Sequence, residues 1–319
     1  MNKTKIEWVK NPDNKTLGYT LNSKTGCRNH VNGLCKGGGF PCYAYRLANG
    51  RLKQRYLANP NTAVKYQPEA SIEEYEHQRT DPFYPRWWPE RLEQVKKHKA
   101  PSGIFLDDMS DWMGDYWPRE WTEMEIETMR QCPQHRFYTL TKQPQNLIKF
   151  SPFPANCWVG VTATSEKIFE NACLWLERIE ATVKYISFEP LLEWRNPVVK
   201  WDRPIFRDDI STKLKSAGIT WCIVGAQTRP TVWPSKYWIG EIIKACSEIS
   251  VPVFLKDNLS ILVFDDYYKS KTLGLANKEG IIRQELPFLH KQGENMAEVG
   301  RQLNLSRQTV RKIISEAEE

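Results

Sequence analysis

Three cysteines lie close together in a glycine-rich stretch near the start of the chain. Cys27, Cys35 and Cys42 are separated by seven and six residues in the segment TGCRNHVNGLCKGGGFPCYAYR. Burial in an apolar core does not account for cysteines in so polar a stretch, whereas cysteine thiolates are the usual ligands of iron-sulfur clusters. Three thiolates leave one iron of a 4Fe-4S cluster without a protein ligand. The segment therefore predicts a cluster with an open iron, to which a small ligand such as S-adenosylmethionine (SAM) can bind.

Zinc is the main alternative for this loop. A structural zinc site takes four ligands in closely spaced pairs, and His30 is the nearby candidate for a fourth ligand. The cysteine spacings match none of the common zinc pairs. Gly37, Gly38 and Gly39 favour the cluster, because glycine lets the backbone wrap closely around an inorganic group.

The five other cysteines stand singly beside apolar residues, where cysteine behaves as a small core residue. They are Cys132, Cys157, Cys173, Cys222 and Cys246. The N-terminal stretch has no apolar signal-peptide core, so a disulfide scaffold is not expected. No apolar run approaches the roughly 20 residues of a membrane span. We therefore expect a cytoplasmic protein without a membrane partner.

Short β-branched or aromatic runs alternate with amphipathic helical segments, which is the pattern of a parallel sheet built from βα units. The predicted strands are Leu17–Asn22, Gly103–Asp107, Phe137–Thr141, Trp158–Thr162, Lys184–Phe188, Trp221–Gly225 and Val251–Leu255. The predicted helices are Glu120–Gln131, Glu166–Ile179 and Lys236–Ser247, and Arg51–Pro101 is predicted to be an excursion of helix and loop. This repetition predicts an α/β fold, a partial or full (β/α) TIM-like barrel, over residues 1–290.

Polar residues follow nearly every predicted strand. In a barrel the functional groups collect at the C-terminal ends of the strands, so these residues are the candidates for holding SAM. They are Ser110, Asp111, Thr141, Lys142, Thr162 and Glu189. Ser110 and Asp111 come first for the ribose or amino group, and Lys256 is a candidate for a substrate anion.

Each of these residues also has a structural alternative. Thr141 and Thr162 are suited to helix capping, and Asp111 to a surface turn. Glu189 is suited to pairing with a buried arginine or lysine, and Lys256 to a salt bridge at the barrel mouth. The recurrence of polar groups at equivalent places favours the functional interpretation.

Several motifs occur in order over residues 3–288. They are CYA at the end of the cysteine loop, LDDMSDWMGD, YTLTKQP, WVGVT, ISFEPLL, WCIVGAQTRP and PVFLKD. In this order they resemble a phage-associated three-cysteine-motif family of radical-SAM-like proteins, and the CYAYR ending is similar to the spore photoproduct lyase branch. Both cysteine spacings are longer than in the usual Cys-x3-Cys-x2-Cys loop, and Pro41 stands where an aromatic residue often precedes the last cysteine.

The resemblance implies a radical SAM type of barrel and a 4Fe-4S cluster held by the three cysteines. It implies reductive cleavage of SAM, with an electron from a donor protein, to a 5′-deoxyadenosyl radical. Phe40 or Tyr43 would then be the neighbour of the adenine. The similarity to the lyase branch points to a nucleic acid as the substrate.

The C-terminal segment predicts a small all-α helix-turn-helix module over residues 291–319. The sequence NMAEVGRQLNLSRQTVRKII places Ser306 as the cap of a second helix. The residues that this helix presents to DNA are Arg307, Gln308, Arg311 and Lys312. A net charge of +7 fits such a partner. The alternative is a two-helix tail for protein interaction or dimerisation.

Three functions follow from these features. The first is a radical SAM enzyme that modifies or repairs a base in nucleic acid. The second is a DNA-binding regulator in which an iron-sulfur cluster senses redox state without catalysis. The third is a radical SAM enzyme that modifies RNA or protein. The polar groups at the strand ends argue against the second, because a sensor does not need them.

Overall fold

The computed structural model of the protein describes residues 1–66, 70–195, 198–200, 203–205 and 209–262. Its centre is an eight-stranded sheet. The strands are β1 (Asn2–Lys3), β2 (Tyr19–Leu21), β3 (Gly103–Leu106), β4 (Arg136–Thr141), β5 (Cys157–Thr162), β6 (Val183–Phe188), β7 (Trp221–Val224) and β8 (Val253–Leu255). Strands β2 to β8 are parallel and pair in chain order, and β1 lies antiparallel beside β2. The predicted α/β class and all seven predicted strands are confirmed, whereas closure into a barrel is not shown.

Helices occupy the connections between these strands. They are α1 (Tyr43–Asn49), α2 (Lys53–Leu57), α3 (Ile72–Thr80), α4 (Leu92–Lys97), α5 (Arg119–Gln131), α6 (Glu166–Leu176), α7 (Asp209–Ser216) and α8 (Lys236–Glu248). The three predicted helices are α5, α6 and α8, and the predicted excursion contains α2, α3 and α4. Helix α7 was not predicted.

The two faces of the sheet pack against different partners because successive side chains of a strand point to opposite faces. Ile104 and Leu106 of β3 belong to the large core that includes the helices. Phe105 lies on the other face, in a cluster around Trp8. The ring centroid of Trp8 lies 4.9 Å from that of Phe105 and 5.7 Å from that of Tyr138. Aromatic side chains around Trp8 thus cover this face of the sheet.

A buried ion pair connects the start of the cysteine loop to α5. The Lys24 Nζ lies 2.7 Å from the Glu125 Oε2, and both side chains are fully buried. Glu125 also accepts hydrogen bonds from the Ser23 hydroxyl at 2.7 Å and the Trp112 indole at 3.0 Å. The Asp107 carboxylate accepts the backbone N–H of Lys24 at 2.9 Å. The loop therefore starts from a firmly bonded segment.

Two further predictions concern the C-terminal module and the membrane. The C-terminal module of residues 291–319, with Arg307, Gln308, Arg311 and Lys312, lies outside the described residues, as does its predicted boundary with the α/β domain. None of the described helices is long and apolar enough to cross a lipid bilayer.

Candidate cofactor site at the strand ends

A β-hairpin occupies the space between the first two cysteines of the loop. His30–Val31 pairs antiparallel with Leu34–Cys35. The turn residues Asn32 and Gly33 have φ values of 46° and 82°, as a two-residue turn of the Asn-Gly kind requires. The long spacing after Cys27 is therefore a hairpin insertion. The Asn-Gly dipeptide is the sequence signal that could have predicted it.

The glycines of the loop permit a close approach to the end of β5. Gly38 has a φ of 143°, and a Cβ there would lie 2.6 Å from the Thr164 hydroxyl. The same hydroxyl donates a hydrogen bond to the Gly37 carbonyl at 2.8 Å. Within the loop, the Gly39 N–H donates to the Cys35 carbonyl at 2.7 Å. Close backbone packing onto the sheet therefore requires glycine at position 38.

A cavity of about 490 Å³ lies at the C-terminal ends of the parallel strands. This volume falls within the range of small-molecule sites. Of the residues predicted to bind a metal, SAM or a substrate anion in this domain, all but Thr141 line it. They are Cys27, Cys35, Cys42, Tyr43, Ser110, Asp111, Lys142, Thr162, Glu189 and Lys256. Phe40 and Trp8 line it as well.

The three thiols share this cavity without converging on one point. Among the described residues, no three histidine, cysteine, aspartate or glutamate side chains are grouped to hold a single metal ion. A closed zinc site would require four such ligands around one ion. In a 4Fe-4S cluster each cysteine ligates a different iron, so its thiols face a common space.

The electrostatic environment of the thiols is set by burial and by one lysine. Burial raises the pKa of Cys27 to about 12, and it also raises the pKa of Cys35, which Lys142 partly offsets. Burial opposes the charge on Lys142, but Cys35 and Asp111 together raise its pKa. The lysine is therefore charged, and its position favours the thiolate forms that a metal requires. The Asn29 N–H also donates to the Cys27 sulfur at 3.2 Å.

We expect Cys27 of the iron-free protein to react very slowly with iodoacetamide. Only the thiolate reacts, and a pKa of about 12 in place of 9.0 lowers the thiolate fraction at pH 8 about 1000-fold. Because the pKa is raised, reactivity should increase as the pH rises toward 12. Mass spectrometry of the alkylated peptide measures this rate. Unfolding in urea should restore the ordinary rate, and fast labelling of the folded protein at pH 8 would contradict the prediction.

Asp111 connects the ends of two neighbouring strands. It accepts hydrogen bonds from the Thr141 hydroxyl, from the Lys142 N–H at 3.1 Å and from the Met113 N–H at 3.3 Å. The Thr141 hydroxyl therefore faces Asp111, which explains why Thr141 does not line the cavity. Burial raises the pKa of Asp111, whereas Lys142 lowers it.

Glu189 and Lys256 form an ion pair across the ends of β6 and β8. Burial opposes the charge on Lys256, but Glu189 raises its pKa. The nearby carboxylate of Glu7 accepts the Asp257 N–H at 3.0 Å. Glu189 thus makes the structural pairing that was the alternative to ligand binding, while both partners line the cavity.

Three residues that line the cavity each have a buried polar atom without a hydrogen-bond partner in the described structure. The atoms are the hydroxyl of Thr162, the indole N–H of Trp8 and one carboxylate oxygen of Asp107. Burial raises the pKa of Asp107 well above its ordinary value. The neighbouring Glu125 carboxylate also raises the pKa of Asp107. Buried polar atoms without partners are costly, so the Thr162 hydroxyl indicates a polar ligand. Asp107 was not predicted as a site residue, although its place directly after β3 was a usable signal.

Two further predicted residues line the cavity and make hydrogen bonds to the loop after β3, Tyr43 through its side chain and Ser110 through its backbone. The Tyr43 hydroxyl donates to the Asp108 carbonyl. The backbone N–H of Ser110 donates to the Asp107 carbonyl at 3.0 Å, and Ser110 bridges to Gly26 of the cysteine loop. The loop after β3 and the cysteine loop therefore meet at this cavity.

Comparison with known families gives one match. The model of a family described as protein of unknown function (DUF5131) matches residues 3–303. No curated protein matches the chain, and no solved structure matches it.

Proposed function

This chain belongs to the DUF5131 family of proteins of unknown function, and we propose that it is a radical SAM enzyme that acts on nucleic acid. In this proposal Cys27, Cys35 and Cys42 hold a 4Fe-4S cluster, and the parallel sheet is the core of a cytoplasmic TIM-like barrel. In the same proposal residues 291–319, which lie outside the described residues, bring the enzyme to DNA.

One observation carries the proposal. Three cysteine thiols line the same cavity at the C-terminal ends of parallel strands, where barrel enzymes have their active sites. The unpartnered Thr162 hydroxyl in that cavity supplies a second indication of a ligand.

The bound cluster would supply one electron for the reductive cleavage of SAM to methionine and a 5′-deoxyadenosyl radical. The chain contributes binding, orientation and electrostatics. Lys142 offsets the negative charge of three thiolates and their cluster. Trp8 and Phe105 exclude water from the sheet side of the cavity.

The test is anaerobic reconstitution of the full chain with iron and sulfide, followed by dithionite and SAM. We expect an absorption band near that of 4Fe-4S proteins and enzyme-dependent release of 5′-deoxyadenosine, measured by chromatography. Omitting iron, dithionite or the protein should each reduce 5′-deoxyadenosine to background, because each supplies a necessary part of the electron path.

Two other outcomes would overturn the proposal. A stable cluster that never cleaves SAM would favour the redox sensor. Stoichiometric zinc that iron and sulfide do not displace would remove the basis for a cluster.

A further inference from the structure

A second cavity adjoins the first one on the side of α6. It has a volume of about 400 Å³, and it shares Asn29, Lys142 and Thr162 with the thiol-lined cavity. Lys36 and Lys167 also line it. The two cavities are therefore neighbours with a common wall.

The side-chain amide of Gln143, which lines this second cavity, has a buried N–H donor without a hydrogen-bond acceptor in the described structure. Gln143 is 8% exposed, and its Nε2 has no hydrogen-bond acceptor in the described structure. The Asp115 N–H donates to the Gln143 Oε1 at 3.3 Å, so the oxygen of the amide is used and the nitrogen is the free end. Thr162, which is 1% exposed, supplies a second unpartnered buried group in the same wall.

The charges around this cavity are positive. Lys36, Lys142 and Lys167 line it, whereas no carboxylate is among its described lining residues. The Asp111 carboxylate interacts with Lys142 from outside this cavity. Glu166, in the first turn of α6, is paired with Arg195 at 2.7 Å. The described part of the cavity thus combines three cations with two buried donors.

We infer that this second cavity binds a phosphate group of the substrate, which places a nucleotide unit beside the thiol-lined cavity. A phosphate has several acceptor oxygens and a full negative charge, and it therefore satisfies lysines, an amide and a hydroxyl at once. This inference rests on the proposed function for the identity of the substrate, but phosphate binding itself requires no iron.

The experiment uses the full-length, iron-free protein and three probes. Binding of each probe is measured by the broadening of its ³¹P NMR line. The probes are inorganic phosphate, a deoxyadenosine dinucleotide with one phosphate, and its uncharged methylphosphonate analogue. We expect the dinucleotide to bind and the analogue to bind at least about tenfold more weakly, because charge-assisted hydrogen bonds are lost.

Two variants test the site itself. Lys36→Gln with Lys167→Gln should weaken dinucleotide binding about fivefold, because two cations are removed. Gln143→Glu keeps the acceptor for Asp115 but places a negative charge in the cavity, and it should weaken binding about tenfold or more. The matched control is Lys97→Gln with Lys215→Gln, which removes two exposed lysines that line neither cavity.

Each outcome has a definite meaning. Unchanged binding in both test variants, or an equal loss in the control, would overturn the phosphate site. If inorganic phosphate bound in a way that the variants weaken, and the dinucleotide did not bind, the cavity would be a phosphate site. Its ligand would then be a small phosphate compound and not a nucleotide unit of the substrate. Complete displacement by SAM would show that the cavity takes the SAM carboxylate, and the substrate assignment would fail. If the protein bound phosphate but never cleaved SAM, the phosphate site would be supported and the proposed enzyme activity would be rejected.

Discussion

Single replacement of Cys27, Cys35 or Cys42 by alanine is expected to lower 5′-deoxyadenosine formation by more than about 100-fold. The loss of a group that only supports a metal ligand already costs about 10- to 100-fold, and in the proposed function each of these replacements removes a ligand itself. The variants should also lose most of their iron after reconstitution. Iron analysis and chromatography of 5′-deoxyadenosine measure both effects on the same samples.

The control for this prediction is Cys132→Ala. Cys132 is also buried, but it lies at the end of α5 and does not line the cavity. This variant should retain its iron and its SAM cleavage. If one of the three cysteine variants cleaved SAM as the wild type does, that cysteine would not be a cluster ligand. Equal losses in Cys132→Ala would indicate a general effect on folding.

Glu125→Gln is expected to lower the free energy of unfolding by about 3–5 kcal/mol. The replacement preserves the shape of the side chain, but it removes the charge of the carboxylate that contacts the buried ammonium of Lys24. Both side chains are fully buried, so water cannot replace the lost interaction. Denaturation by urea, monitored by circular dichroism, gives the change in the midpoint.

An exposed ion pair on the same helix provides the comparison. Arg119 and Glu123 form a pair at 2.6 Å in which both side chains are largely exposed. Glu123→Gln should therefore change stability by no more than about 0.5 kcal/mol. The double variant Lys24→Met, Glu125→Met should recover much of the loss, because it removes both charges. A cost for Glu125→Gln as small as that for Glu123→Gln would show that the buried pair is not needed to hold the loop.

The parallel sheet was predictable because its signal is local and repeated. β-branched and aromatic runs recur between amphipathic segments, and each buried strand can be predicted from the few residues that form it. For the same reason the strand ends were predictable as the location of the site, since the carboxyl ends of parallel strands share one edge. The three cysteines were identified as candidates from residue type alone, because the stretch around them is polar and rich in glycine. The structure also packs Cys27 and Cys42 against apolar side chains, a contact that the local sequence did not indicate.

Contacts between residues distant in the chain could not be predicted in this way. The hydroxyl of Thr141 is committed to Asp111, and Glu189 is committed to Lys256. From the sequence alone, Thr141 and Glu189 are each equally suited to binding a ligand. Which role it takes depends on the distance to a partner that another strand supplies.

The sequence by itself determined the type and order of the strands, the places of the polar groups and the three cysteines, because these depend on local pattern and residue chemistry. Only the tertiary structure decided which of those groups share a cavity, which are already bonded, and which stay unpartnered. It also brought Lys24 to Glu125 and Gln143 to a cavity wall of positive charge. Burial and partner distance are properties of the packed chain, and no single segment of sequence contains them.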